Sequence, residues 1–294
     1  MRAPSKFFLA ALLIAFIPAA NSAEFFVTCF NTSNGSSVWR FNDSGVATPF
    51  LSGIDSPTGI AMDNQNNLYV ASLTDNTITR VTPQGVRSIF ASGLAGPWGI
   101  AFSPGGDLFV ANNNSYSISR ISPDGTVHPF VDLQRHPGAL AFDASGNLYT
   151  PGSSTSLLKI TPEGTQTTFA TGLQFPSSLA FDQSGILYVN NSGNTHSISR
   201  VTPDGVVSQF VPPDTAWLNY GLVSASDGAL YVADGFGRID RVDPNGQWNV
   251  IVPHSPGFDF PLYLVEIVPE PGAGLFITLG CLLLWHLKRP RSDV

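Results

Sequence analysis

The strongest pattern in this sequence is a repeat of about 40 residues. A basic residue in the pattern apolar-x-basic-apolar recurs at spacings of 40, 40, 39, 41 and 41 residues. An aromatic residue, or Val in the last copy, follows about ten positions later. Two independent markers keep the same period, so the chain is built from copies of one supersecondary unit. The markers are Arg40, Arg80, Arg120, Lys159, Arg200 and Arg241, followed by Phe50, Phe90, Phe130, Phe169, Phe210 and Val250.

Each full repeat has the pattern of four short strands. In the second full repeat the apolar segments are 99–102, 108–111, 118–121 and 126–130, and Gly- and Pro-rich turns separate them. Leucine-rich repeats have shorter periods, and helical solenoids need amphipathic helices, whereas no window here sustains a 3.6-residue period. Four strands in each unit of about 40 residues indicate a blade of a β-propeller.

The two ends of the body supply one further blade. Five complete repeats begin near Pro57, Pro97, Pro137, Pro176 and Asn219. Residues 24–50 resemble strands two to four of a repeat, and residues 261–267 resemble strand one. The sequence therefore predicts an all-β domain over residues 24–268. It is a six-bladed β-propeller with four antiparallel strands per blade, and its ring closes by pairing of the N- and C-terminal strands.

The repeat unit resembles a known family. Segments 143–149 (DASGNLY) and 119–125 (SRISPDG) are similar to the NHL repeat and to the related propellers of gluconolactonases and streptogramin lyases. The likeness covers roughly residues 25–267. It implies the propeller fold but leaves the function open, because such propellers serve as binding platforms, scaffolds and enzymes.

The first 23 residues are predicted to be a signal peptide. Arg2 and Lys6 precede an apolar run over residues 7–17, and small residues at 19–23 suit cleavage. The alternative is a retained membrane anchor, for which the run is short.

The last 26 residues are predicted to be a sorting tail, residues 269–294. Val268, Pro269, Glu270 and Pro271 precede an apolar run over residues 272–287 and a basic end. A short transmembrane helix is predicted there, with a buried core helix as the alternative. This order of parts resembles the PEP-CTERM signal, which implies processing by an exosortase in the envelope of a Gram-negative bacterium. The protein would then be exported and anchored transiently in the inner membrane, with exopolysaccharide or a surface protein as a further partner.

Charge excludes one class of partner. The net charge is −7, and the body carries no basic cluster, which argues against nucleic acid.

Residues that differ from blade to blade are the candidates for function, whereas the repeated ones maintain the blade. Loops that lead into strand one and loops that follow strand two should converge on the mouth of the channel. The first set holds Trp98, His136 and Tyr220, and the second holds Asn112, Asn191 and Asp234. These six are the predicted ligand-binding residues, and no catalytic residue or metal ligand is assigned.

The chemistry of these residues leaves alternatives. Aromatic side chains at the mouth can stack on sugars, anchor a protein, or fill the channel. His136 could act as a general base, but no acid lies at a spacing that would orient it. The gluconolactonase resemblance implies a divalent cation, yet the positions that match its ligand before the first Gly are not acidic or amide residues. Asn112, Asn191 and Asp234 still offer oxygens, so Ca²⁺ is the one cofactor left open.

The sequence therefore favours an exported binding or scaffold module over an enzyme. The alternative is a lactonase-type hydrolase or a streptogramin-lyase-like enzyme that uses the channel mouth.

Overall fold

The protein is an all-β, six-bladed β-propeller. A computed structural model describes residues 23–30, 36–193, 196–214, 219–254, 258 and 260–267. They form 24 strands in six four-stranded antiparallel sheets, so the predicted fold class is confirmed. Within these residues no helix has the length and apolarity needed to cross a membrane. The predicted sorting motif and tail, and all but the last residue of the predicted signal peptide, lie outside the described residues.

The strands follow the predicted repeat. The N-terminal fragment holds β1 (Glu24–Cys29), β2 (Ser36–Asn42) and β3 (Ala47–Ser52). Blade 1 comprises β4 (Pro57–Met62), β5 (Leu68–Ser72), β6 (Thr77–Val81) and β7 (Arg87–Ala91). Blade 2 comprises β8 (Pro97–Phe102), β9 (Leu108–Asn112), β10 (Ser117–Ile121) and β11 (Val127–Asp132). Blade 3 comprises β12 (Ala141–Phe142), β13 (Leu148–Ser153), β14 (Ser156–Ile160) and β15 (Gln166–Thr171).

The remaining blades complete the ring. Blade 4 comprises β16 (Pro176–Phe181), β17 (Leu187–Ser192), β18 (His196–Val201) and β19 (Val207–Asp214). Blade 5 comprises β20 (Asn219–Ser224), β21 (Leu230–Asp234), β22 (Arg238–Val242) and β23 (Trp248–Val252). Strand β24 (Pro261–Ile267) joins the N-terminal fragment as blade 6.

The ring closes by pairing of the two ends, as predicted. Strand β24 runs antiparallel to β1, with Glu24 opposite Ile267 and Cys29 opposite Pro261. The buried Thr28 hydroxyl reinforces the closure, since it donates to the carbonyl of Thr58 (2.5 Å) and accepts from the Tyr263 N–H (3.2 Å). Closure removes the exposed edges that each end fragment would have alone.

The aromatic marker packs neighbouring blades together. In blade 1, the ring of Phe90 meets Tyr69 edge-on, and Phe102 of the next blade meets the same Tyr69. Blades 2 and 3 repeat this contact with centroid distances of 4.8–5.1 Å. Edge-to-face contact is a favoured geometry for aromatic pairs, which explains why the marker recurs.

The basic marker also maintains the blade. Arg120 pairs with Asp107 at 2.9 Å and Arg241 pairs with Asp227 at 2.8 Å, and each acid lies in the turn between strands one and two. Lys159 instead places its ammonium 5.8 Å from the ring centre of Tyr149, its partner on the neighbouring strand. The repeated basic residues therefore tie strand three to its own blade.

Blade 3 departs from the predicted pattern at its first strand. Strand β12 covers only Ala141–Phe142, whereas the sequence predicted a start near Pro137. Pro151 lies in the neighbouring strand β13 at this end of the blade, and it has no N–H to give to a ladder. The result is an irregular segment that leads into the blade on the face where the loops converge.

Candidate functional site

The loops predicted to form the functional face lie side by side on one end of the propeller, which we call the mouth face. A repeated hydrogen bond joins them, in which the N–H at or just after the end of strand two donates to the carbonyl just before strand one. The pairs are Leu73 to Ser56 (3.1 Å), Asn113 to Gly96 (2.9 Å), Ser192 to Phe175 (3.0 Å) and Phe30 to Phe260 (3.1 Å). Because these bonds join backbone groups, they fix the loops of this face independently of the side chains that the loops carry.

Asn112 and Asn191 hold the loops that lead into strand one. The Asn112 side-chain oxygen accepts from the Ala95 N–H (3.2 Å), and its amide donates to Ser119 (2.8 Å). Asn191 does the same with the Gln174 N–H (3.1 Å) and Ser199 (2.9 Å). Both side chains are buried, so their polar groups are already used by the protein. Direct contact with a ligand stays a prediction for both.

Asp234 occupies the same position in blade 5 but in a different chemical setting. Its carboxylate lies 3.4 Å from the Arg238 guanidinium, which also pairs with Asp240 at 2.8 Å. Burial raises the pKa of Asp234, against the opposing effects of the Phe236 N–H and Arg238. Burial also raises the pKa of Asp240, to about 6. Asp234 is therefore part of a buried Asp–Arg–Asp cluster, not an exposed acid of the mouth.

The Trp98 side chain contacts Tyr263. Burial raises the pKa of Tyr263, and a hydrogen bond from the Trp98 side chain lowers it in part. Tyr263 also packs against two core clusters, one of blades 3 and 4 and one of blades 6 and 1. Of the alternatives for aromatic residues at the mouth, this contact favours filling of the channel for Trp98.

A groove lies on the mouth face between the loops of blades 2, 3 and 4. Its volume is about 530 Å³, within the ~300–1,000 Å³ typical of small-ligand sites. His136 is the one predicted site residue that lines it, whereas Trp98, Tyr220, Asn112, Asn191 and Asp234 do not. We call it the mouth groove. Its lining includes the side chains of Tyr116, Arg135, His136, Ser153, Ser154 and Phe175.

His136 is oriented within this groove. Its Nδ1 lies 2.8 Å from the Asn113 carbonyl, and its ring packs on Tyr116 with centroids 4.3 Å apart. A carbonyl can only accept, so Nδ1 carries the proton and the neutral ring leaves Nε2 as an acceptor. His136 can therefore accept a hydrogen bond or a proton from a bound molecule.

Sequence reasoning missed Tyr116, Arg135 and Phe175. Tyr116 (φ 53°) and Phe175 (φ 50°) have left-handed backbone, and both rings are exposed. The position of Tyr116 holds Asn76 in blade 1, and the position of Phe175 holds Ser56, Gly96 and Phe260 in other blades, of which Asn and Gly adopt this conformation most readily. An aromatic residue where another repeat carries Gly or Asn was the available signal.

The residues named for Ca²⁺ do not fit a cation. The Asn112 and Asn191 oxygens accept backbone N–H groups, and Asp234 faces an arginine. No group of three or more His, Cys, Asp or Glu side chains in the described part of the chain lies close enough together to hold a metal ion.

Two further clefts, of about 400 and 480 Å³, lie on the opposite face. Turns of blades 1 to 3 line them, with residues such as Asp63, Arg80, Asp107 and Arg120. Asp63 accepts the N–H groups of its own turn, at 2.9 and 2.8 Å, and Asp143 repeats this in blade 3. These clefts therefore arise from the repeated blade contacts.

Comparisons with solved structures identify the same fold. A catalytically inactive histidine-to-alanine variant of virginiamycin B lyase from Staphylococcus aureus, solved with quinupristin, is 18% identical. Its TM-score is 0.60, and the match covers 85% of this chain and 93% of that one. A gluconolactonase from Xanthomonas campestris is 19% identical (TM-score 0.61), with 70% and 78% covered. The calcium-binding protein regucalcin from Agrobacterium tumefaciens is 16% identical (TM-score 0.55), with 65% and 72% covered.

The sequence itself matches a family model. No curated protein sequence matches the chain. The model of the virginiamycin B lyase family matches residues 28–256, which span all of blades 1 to 5 and part of blade 6. The chain therefore belongs to the virginiamycin B lyase family.

Proposed function

We propose that this chain is an exported propeller of the bacterial cell envelope that binds a carbohydrate in the mouth groove. The observation that carries the proposal is the pair of exposed rings, Tyr116 and Phe175, held in left-handed backbone at the groove. Such backbone costs roughly 1–2 kcal/mol for a residue with a side chain. Asn76, Ser56 and Phe260 have the same backbone at the matching positions, so the conformation belongs to the repeat. The exposure of Tyr116 and Phe175 at the groove leaves both rings free to contact a ligand.

The groove suits a sugar. Aromatic rings offer flat apolar faces, and Ser153, Ser154 and Gln134 offer groups that can donate to and accept from hydroxyls. Export rests on the predicted signal peptide and sorting tail, and an envelope location would bring the protein to extracellular polysaccharide. An exosortase is the proposed processing partner.

Isothermal titration of the full chain with methyl-esterified trigalacturonate, a neutral sugar trimer, tests carbohydrate binding. We expect Tyr116→Ala and Phe175→Ala each to weaken binding at least tenfold. Phe260→Ala is the matched control, because Phe260 has the same left-handed backbone (φ 47°) and an exposed ring but does not line the groove. Absence of binding, or an equal loss in the control, would contradict the proposal.

A second candidate is a lyase reaction of the virginiamycin B lyase type. Family membership favours it, and so does the orientation of His136, whose Nε2 is free to take a proton. Against it, no carboxylate lines the groove to assist this histidine.

Incubation with quinupristin, followed by mass spectrometry and chromatography for a ring-opened product, separates the two candidates. The binding proposal predicts unchanged quinupristin. Turnover by the parent that is lost in His136→Ala would establish the lyase instead.

A further inference from the structure

The mouth groove has the opposite charge character from the rest of the molecule. The chain carries 21 acidic and 14 basic residues. The lining of the groove nevertheless includes the guanidinium of Arg135 and has no Asp or Glu. A ligand in this groove would therefore meet donors and positive charge.

Arg135 differs from the arginines that form ion pairs. Arg120 and Arg241 pair with turn acids on the opposite face, and Arg238 lies between two buried aspartates. Arg135 is exposed, and none of the ion pairs found among the described residues involves it. Its guanidinium is therefore available to an anion from outside the protein.

The neighbours of Arg135 restrict what that anion can be. Tyr116 and Phe175 supply ring faces, and Ser153 and Ser154 supply hydroxyls, all on the lining of the same groove. A guanidinium matches a carboxylate with two parallel hydrogen bonds, and ring faces match the C–H faces of a pyranose. A sugar that carries its own carboxylate combines these features in one residue.

We infer that the mouth groove binds an acidic sugar, whose carboxylate pairs with Arg135 while its pyranose ring packs on Tyr116 or Phe175. The inference rests on the proposed carbohydrate function and adds to it the charge of the ligand. It assigns specificity to Arg135 and general sugar affinity to the two aromatic rings.

Titration of the full chain with trigalacturonate and with its methyl ester tests the inference, since esterification removes the negative charges and keeps the pyranose rings. The parent should bind the free acid at least tenfold more tightly than the ester, and added NaCl should reduce this preference. Arg135→Gln should remove the preference, by lowering affinity for the free acid far more than affinity for the ester. Arg87→Gln is the control, because Arg87 is exposed but binds the Ser52 carbonyl and does not line the groove.

The outcomes separate this inference from the function on which it rests. Equal affinity for both probes, or a preference that survives Arg135→Gln, would overturn the acidic-sugar inference and leave carbohydrate binding in place. Failure of the parent to bind either probe would overturn both. Loss of ester binding in Arg135→Gln would show that Arg135 maintains the groove and does not select charge.

Discussion

The Asp–Arg–Asp cluster of blade 5 should make stability depend on pH in an unusual direction. Asp240 is buried beside Arg238 and close to the second carboxylate, Asp234. Burial raises the pKa of Asp240 to about 6, whereas an unfolded Asp titrates near ~3.9. Asp240→Asn removes this titration while keeping the size and polarity of the side chain.

Proton linkage gives the direction and the size of this change in the free energy of unfolding with pH. Below pH ~4, Asp240 is protonated in both states and its contribution to stability is fully present. Between pH ~4 and ~6 the unfolded chain releases the proton first, so stability falls as the pH rises, and the loss is complete above about pH 6. A gap of about two pKa units corresponds to about 3 kcal/mol. The free energy of unfolding of the parent, minus that of Asp240→Asn, should fall by this amount between pH 4 and pH 7.

Urea unfolding at several pH values, followed by tryptophan fluorescence, measures this difference. Asp243→Asn is the control, because hydrogen bonds from the Gln247 and Asn245 N–H groups lower the pKa of this exposed turn acid. Stability due to Asp243 is present above its unfolded pKa and is lost as the pH falls, which is the opposite direction. A pH-independent difference for Asp240→Asn, or one that grows as the pH rises, would refute the reasoning.

Three further outcomes follow from the same contacts. Asn112→Ala should lower the free energy of unfolding, measured by urea titration, by about 1–3 kcal/mol, because it leaves the Ala95 N–H without its acceptor. The control is Asn64→Ala at an exposed position, which should change the free energy of unfolding by less than ~0.5 kcal/mol. Thr28→Val should cost about 1–3 kcal/mol, because it removes a buried hydrogen bond at the ring closure, and an unchanged melting temperature would contradict this. Phe175→Gly should keep or raise the melting temperature while sugar binding falls, and a large loss of stability would show that the ring serves the fold.

The repeat made the architecture predictable. Arg120 and Phe130 recur because their contacts recur: Arg241 repeats the ion pair to a turn, and Phe90 and Phe169 repeat the edge-on aromatic contact. A periodic sequence therefore reports a periodic structure, and the two incomplete repeats at the ends indicated how the ring closes. Blade 3 shows the limit, since the effect of Pro151 on strand β12 depends on pairing between strands that the repeat does not encode.

The site was less predictable because side-chain burial at the mouth depends on loops from neighbouring elements. Asn112 and Asp234 stand at equivalent positions, but Asn112 holds a loop, whereas Asp234 pairs with Arg238, four residues later at the start of the adjacent strand. The sequence signal at Tyr116 and Phe175, an aromatic residue where another repeat carries Asn or Gly, could be interpreted only with their backbone angles. His136 could be placed in advance because its loop leads directly into strand one and faces the groove.

Hydrogen exchange measured by mass spectrometry, with and without trigalacturonate, tests the claim that the mouth groove is the binding site. The loops that line it, residues 113–117, 134–137, 152–155 and 174–176, should exchange more slowly with the sugar bound. Exchange in the opposite-face turns of the same blades should not change. Slowing confined to those turns, or no slowing in the groove loops at saturating sugar, would contradict the account.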